Sequence, residues 1–159
     1  RNRLLGVSLL ADGAFSRDVI VPVGGTVEPL TPEALEAGRF RLDVPDPEGM
    51  KRRLYPIAMA NFRRVADEAL AKSGRTRGEI GYLNLLHMKR SAHDYVLGAL
   101  GLRDEQSCYL SDLGHIGQQD QIFSIQRGLA TGRLRDGDLM LMMAAGIGYA
   151  WAAACVAWG

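Results

Sequence analysis

Twice in this chain an apolar, strand-like run ends in a histidine just before a helix-forming segment. The first is Leu83-Asn84-Leu85-Leu86-His87, and the second is Tyr109-Leu110-Ser111-Asp112-Leu113-Gly114-His115-Ile116-Gly117. In α/β sheets the handover from strand to helix is the edge at which sites are built. If both strands lie in one sheet, His87 and His115 face one point in space. That requirement limits the fold more than any other feature of the chain.

The remaining segments read as a frame for the pair. Residues 4–10 form a mostly continuous apolar run, expected as a strand buried on both faces. Asp12-Gly13 makes a turn, and residues 18–23 read as a second strand antiparallel to the first, with Pro22 at an edge or strand end. Residues 24–49, rich in proline and glycine, are expected as a long ordered excursion with little regular structure, either a functional loop or an arm on a neighbouring subunit. From about 50 to 73 the apolar positions Leu54, Ile57, Ala58, Phe62, Val65, Ala66, Ala69 and Leu70 fall on one helical stripe, with Pro56 early and Gly74 at the end. Residues 80–86 read as a buried strand. Ser91 and Asp94 resemble a capping box that opens a helix through Tyr95, Val96, Ala99 and Leu100. His93, inside that helix, is expected at the surface. Residues 107–110 read as a strand, a helix through Ile122, Ile125 and Leu129 follows, and two strands at 139–145 and 151–158 flank a turn at Gly146-Ile147-Gly148. The order β-β-α-β-α-β-α-β-β predicts a mixed α/β sheet covered by helices.

Composition narrows the functional classes. With 159 residues, 47% hydrophobic content and 23% charge, the chain fits one domain with a real core. A formal net charge of +1, with no basic stripe carrying interleaved aromatics, argues against a nucleic-acid partner. The apolar stretch 139–158 is broken by Gly146 and Gly148 and suits buried strands better than a membrane span. Cys108 and Cys155 lack metal-ligand spacing and are expected to be reduced and buried, with a cytoplasmic location. No metal site is expected.

Several local sequences, taken together in order, carry a resemblance. Leu10-Ala11-Asp12-Gly13 is similar to a first-strand ADG turn, and Leu86-His87 before a helix to a catalytic-histidine turn. Leu100-Gly101-Leu102 running into Leu113-Gly114 follows an LG…GN spacing. Gly132-Arg133-Leu134, Gly137-Asp138 and Ala145-Gly146-Ile147-Gly148-Tyr149-Ala150-Trp151 resemble a closing G-x-G-x-x-W hairpin. In their order and spacing they resemble the C-terminal half of thiolase-fold condensing enzymes of the 3-oxoacyl-acyl-carrier-protein synthase III type. The resemblance implies a thiolase-like half-fold, α/β with a mixed five-stranded sheet covered by helices, with residues 1–159 as a single C-terminal thiolase-like domain. It implies that the nucleophilic cysteine belongs to an N-terminal half or a partner subunit, since neither Cys108 nor Cys155 sits at a strand-to-helix elbow. Two departures stand out. His115 occupies a position where the family usually has asparagine, and His87-Met88-Lys89-Arg90 replaces the usual HxAN.

The chemistry the resemblance implies is a decarboxylative Claisen condensation of an acyl thioester with a malonyl thioester, His87 and His115 stabilising the enolate oxygen. One preorganised donor of that kind is worth about 3–4 kcal/mol of barrier. A histidine in place of asparagine also opens acyl transfer to a hydroxyl or amine, because it can take a proton. A third reading is a non-catalytic partner subunit of a split enzyme. Asp112 and Asp120 are candidates to orient a histidine, against the plainer reading of a surface turn and a helix-start charge. Lys89 and Arg90 are candidates for the phosphate of coenzyme A or of an acyl carrier protein's phosphopantetheine, and Gly146, Ile147 and Gly148 for a hairpin beside the substrate. The thioester is a substrate, and no resident cofactor is expected. The complete enzyme is expected to be a homodimer, and the chain alone to expose a sizeable apolar face.

Overall fold

The computed structural model describes residues 1–159. Its elements are β1 (Arg3–Ala11), α1 (Pro32–Glu36), α2 (Pro47–Lys72), β2 (Ile80–Leu85), α3 (Arg90–Leu100), α4 (Gln119–Ala130), β3 (Leu139–Gly146) and β4 (Ala150–Ala157). The strands form one mixed sheet in the order β1-β4-β3-β2, with β2 parallel to β3 and the other pairs antiparallel. The parallel pair follows from the long connection through α3 and α4, whereas the Gly146-to-Ala150 turn closes an antiparallel hairpin.

The sheet has four strands, against the six runs read as strands in the sequence and the five-stranded sheet that the resemblance implies. Residues 18–23 do not form a strand: only Ile20 makes an isolated bridge, to Asp43. Residues 107–110 do not form one either. Ser107 makes a single parallel bridge to Leu83 and donates its hydroxyl to the Leu83 carbonyl at 2.9 Å, after which the chain leaves the sheet. The expectation that residues 4–10 are buried on both faces also fails. β1 is an edge strand, and Leu4, Val7 and Leu9 are exposed.

Helix α2 begins earlier than the apolar stripe suggests. Asp46 caps it by accepting the Gly49 amide at 2.9 Å, and Pro47 occupies the first helical position, where a missing N–H costs nothing. Its stripe of Phe62, Val65, Ala66, Ala69 and Leu70 is buried against β1 and β4. Gly6 makes the close approach possible: a Cβ there would lie 2.5 Å from the Ser73 hydroxyl and 3.0 Å from the Ala69 carbonyl. Helix α3 starts at Arg90 after Lys89, so Ser91 is not the cap, and it ends on Gly101 at φ 73°, the left-handed geometry that glycine allows. The excursion over residues 24–49 carries one short helix, α1, capped by Thr31.

The larger core lies between the sheet and helices α2 and α3, with Leu83, Leu85, Leu141, Met143, Trp151, Ala153 and Cys155 on the sheet side. On the opposite face a smaller cluster of Tyr82, Cys108, Leu134 and Met140 sits beneath α4. Strand β2 is therefore covered on both faces, Leu83 and Leu85 pointing one way and Tyr82 and Asn84 the other, as the two-residue strand period requires. The Tyr82 hydroxyl donates to the Ser124 carbonyl of α4 at 2.6 Å and lies 2.8 Å from its hydroxyl. Burial pushes the Tyr82 phenol well above its ordinary range, so it remains a donor. No helix is long and apolar enough to cross a membrane.

Candidate functional site

Because β2 and β3 run parallel, their C-terminal ends share one edge of the sheet. His87 follows β2 there, just past Leu86, whose amide extends the ladder to the Met143 carbonyl at 3.0 Å. The β3–β4 hairpin tip, Gly146-Ile147-Gly148, projects from the same edge with Ile147 61% exposed. The second histidine turn enters α4, which packs on β2, and a single carboxylate joins the two turns.

That carboxylate is Asp120, in the first turn of α4 and with no exposed surface. Its Oδ2 accepts the His87 backbone amide at 2.8 Å and lies 2.6 Å from His115 Nδ1, while its Oδ1 accepts the Ile116 amide at 2.9 Å. Burial raises its pKa, but the hydrogen bonds from Ile116, His115 and His87 outweigh that and leave it below the ordinary value. Asp120 is thus an anion, and a carboxylate anion can only accept. The His115 proton therefore sits on Nδ1, facing Asp120. Nε2 carries the free lone pair, on a side chain that is 57% exposed.

His87 is held differently. Its ring is half-buried, its Nδ1 is buried without a hydrogen-bond partner, and its face lies against Tyr109, with centroids 4.8 Å apart and planes tilted by 32°. The Tyr109 hydroxyl donates to the carbonyl of Met88, the residue after His87, at 3.1 Å.

The other expected residues separate. Asp112 is paired with Arg127 instead of a histidine: both its oxygens accept from the guanidinium at 2.6 Å, which pulls its pKa down to about 2. Arg90 is committed within the chain, to Asp94 at 2.8 Å and Asp104 at 2.5 Å, with its guanidinium 5.1 Å from the Tyr109 ring centre. Lys89 is exposed and makes no ion pair, which leaves it as the free cation beside His87. Cys108 and Cys155 are free and buried, and burial pushes the Cys155 thiol up, away from the thiolate a nucleophile needs. No group of three or more histidine, cysteine or acidic side chains is placed to hold a metal ion.

His93, expected at the surface, is 2% exposed and meets the Tyr109 ring edge-on at 5.2 Å. The signal for this was present: His93 lies on one helical stripe with Val96, Leu97 and Leu100, all buried. Tyr109 carried no comparable sign, since its contact with His87 joins segments far apart in sequence. Gln121 was also missed; its amide nitrogen donates to the Met143 carbonyl at 3.0 Å and its buried oxygen has no partner.

Comparison with known proteins places the chain. Residues 70–158, more than half of the chain, match the family model described as 3-oxoacyl-[acyl-carrier-protein (ACP)] synthase III C terminal. A beta-ketoacyl-[acyl-carrier-protein] synthase III from Symbiobacterium thermophilum is 29% identical over 157 residues, covering 98% of this chain and 46% of that protein. The solved synthase III from Thermus thermophilus is similar in fold with a TM-score of 0.76 and 24% identity, over 98% of this chain and 46% of that one. ChlB3, described as an acyltransferase, gives a TM-score of 0.68 and 25% identity over 99% of this chain and 46% of its own. The chain thus spans about half the length of the curated relatives it matches.

Proposed function

The chain belongs to the 3-oxoacyl-[acyl-carrier-protein] synthase III family, in its C-terminal part, and from that premise we propose that its two histidine turns form one half of a thioester-dependent acyl-transfer site. The acyl group arrives as a thioester of coenzyme A or of an acyl carrier protein. It passes to a cysteine outside this chain; the burial of Cys108 and Cys155, and the 46% coverage of the relatives, support that assignment.

The observation that carries the finer reading is the His115–Asp120 pair. A neutral donor to an enolate oxygen needs a proton on Nε2, whereas Asp120 draws the proton to Nδ1 and leaves Nε2 as a base. We propose that His115 accepts the proton of an incoming hydroxyl or amine. The acceptor oxygen or nitrogen bonds to the acyl carbon as its proton moves to Nε2. The carbon–sulfur bond then breaks, and the departing cysteine thiolate takes that proton back. Asp120 stabilises the imidazolium formed in between. General-base help of this kind contributes about 10²–10⁴-fold. The similarity to ChlB3, described as an acyltransferase, is in keeping with this reading.

Decarboxylative condensation is the second reading. It is supported by the way Asp120 ties both histidine turns to one edge, as two donors to one oxygen would require. Replacing His115 by Asn separates the two. Asparagine donates a hydrogen bond but takes no proton, so His115→Asn in the complete enzyme should lose transfer to alcohols and amines by about 10²-fold or more. Condensation with malonyl-coenzyme A should survive it. The measurement is mass spectrometry of products from one acyl-coenzyme A offered malonyl-coenzyme A or a panel of small alcohols and amines. Retained transfer in His115→Asn would sink the general-base role. Unchanged turnover in His87→Ala on every acceptor would sink the assignment of this edge as the site.

A further inference from the structure

The ring of His87 lacks the usual device for fixing an active imidazole. Such rings are normally oriented by a hydrogen bond to the nitrogen that does no chemistry. His87 Nδ1 is buried and has no partner, so hydrogen bonding does not set how the ring turns about its Cβ–Cγ bond. Its backbone is fixed by Asp120, but its ring plane must be fixed by packing.

The packing is Tyr109. Its ring lies against His87 with centroids 4.8 Å apart and 32° between planes, a tilted contact within the distance at which aromatic rings interact. Tyr109 is itself restrained on three sides. Its hydroxyl donates to the Met88 carbonyl, the Arg90 guanidinium lies 5.1 Å from its ring centre, and His93 meets its ring edge-on at an interplanar angle of 71°. Arg90 is in turn fixed by Asp94 and Asp104. Burial first, and then Arg90, lower the pKa of His93, so it remains a neutral wedge and brings no second positive charge toward His87.

We propose that Tyr109 is a positioning residue for His87, and that buried His93 holds Tyr109 in place. This rests on the functional reading above, in which the His87 turn is part of the thioester site. Tyr109 touches no reacting atom; it acts only through the orientation of the His87 ring.

The test is a double-mutant cycle in the complete enzyme, reading kcat and the KM for the acyl thioester. Tyr109→Leu removes the ring and should lower kcat by about 10- to 100-fold, the usual cost of losing an outer support, with KM changed less than about threefold. Tyr109→Phe keeps the ring and should restore most of the rate. In a His87→Ala background Tyr109→Leu should cost nothing further, because the residue it positions is gone. An equal loss in both backgrounds, a loss confined to KM, or no loss at all overturns the positioning role. If Tyr109→Leu does not yield folded enzyme, His93→Leu reads the same cycle, with a smaller kcat loss expected that again vanishes in His87→Ala. His87→Ala alone keeps the two ideas distinct. If it cuts kcat to a small but measurable level while the Tyr109 and His93 variants do not matter, only the positioning role falls; if it leaves turnover unchanged, the functional reading falls and this one with it.

Discussion

The carboxylate of Asp120, fully enclosed, lies 2.6 Å from Nδ1 of His115. The same oxygen receives the backbone amide of His87, so one side chain from α4 ties the His115 turn to the His87 turn, whose amide lies 33 positions before Asp120. Asp120→Asn should therefore do more than remove a charge. The amide must present either its oxygen or its NH₂ to His115, and the proton on Nδ1 loses its anionic partner. In the complete enzyme kcat for acyl transfer to a hydroxyl or amine should fall by about 10²-fold or more. Stopped-flow turnover compared with circular dichroism of the same sample checks that the loss is not unfolding.

Acid should destabilise the fold in two steps. His93 is lowered below 6.5, by burial and then by Arg90, so the unfolded chain binds its proton more readily than the folded one. The stability this contributes is present above 6.5 and is lost as pH falls toward the lowered folded value. The carboxylates follow with the same sign at lower pH. Asp112 is drawn from 3.8 to about 2 by Arg127, and Asp120 sits below 3.8 because its hydrogen bonds exceed the opposing effect of burial. Their contribution is present above 3.8 and fades as pH falls through the folded values. Urea midpoints at about pH 7.5, 5.5 and 3.5 should decrease in that order. His93→Leu should flatten the first step and leave the second.

Which parts were legible in the sequence follows from how local each cause is. Strand β2 and its closing histidine were readable because a strand buried on both faces is mostly apolar, here interrupted only by Gly81 and Asn84. The C-terminal ends of α3 and α4 were readable within a residue or two, since Gly101 and Gly132 act locally, whereas the cap expected at Ser91 did not form. The exposure of β1 was not readable, because an edge strand and a central strand can share one composition and differ only in neighbours. Residues 107–110 have strand-like residues, yet only Ser107 reaches β2 before the chain turns out toward His115. Asp120 looked like an ordinary helix-start charge; its role depends on the His87 amide arriving from another element. His93 could have been placed from its stripe with Val96 and Leu100.

Glycine at 128 sets how closely α4 approaches β2. A Cβ there would come within 2.9 Å of Tyr82 Cζ and 3.0 Å of the Leu134 Cβ, neither of which can retreat from the buried cluster beneath the helix. Gly128→Val should push α4 outward and cost about 2 kcal/mol from overpacking. Because α4 carries Asp120, the same variant should also reduce kcat. A thermal melt lowered together with the rate is the expected result; an unshifted melt would show that α4 accommodates the side chain.

The sheet face opposite α2 leads to the last prediction. Ser8 on β1 points toward α2, with its hydroxyl 2.6 Å from Glu68, so its neighbours Val7 and Leu9 point the other way. Ala152 and Ala154 of β4 and Met142 and Ala144 of β3 share that side, lining with Val7 an open apolar groove of about 160 Å³. Helix α4 covers β2 but not these three strands, and Leu4 and Leu9 remain 65% and 68% exposed along the edge. A continuous apolar surface joined to an unpaired strand edge favours association, through both hydrophobic burial and edge pairing. Residues 1–159 produced alone should therefore self-associate, as measured by light scattering after size-exclusion chromatography. Ala152→Glu puts a charge in the middle of that face and touches no core position. It should shift the population toward monomer with an unchanged far-ultraviolet spectrum. A wild-type chain that stays monomeric with a cooperative melt would mean that this face is stable in water as it stands.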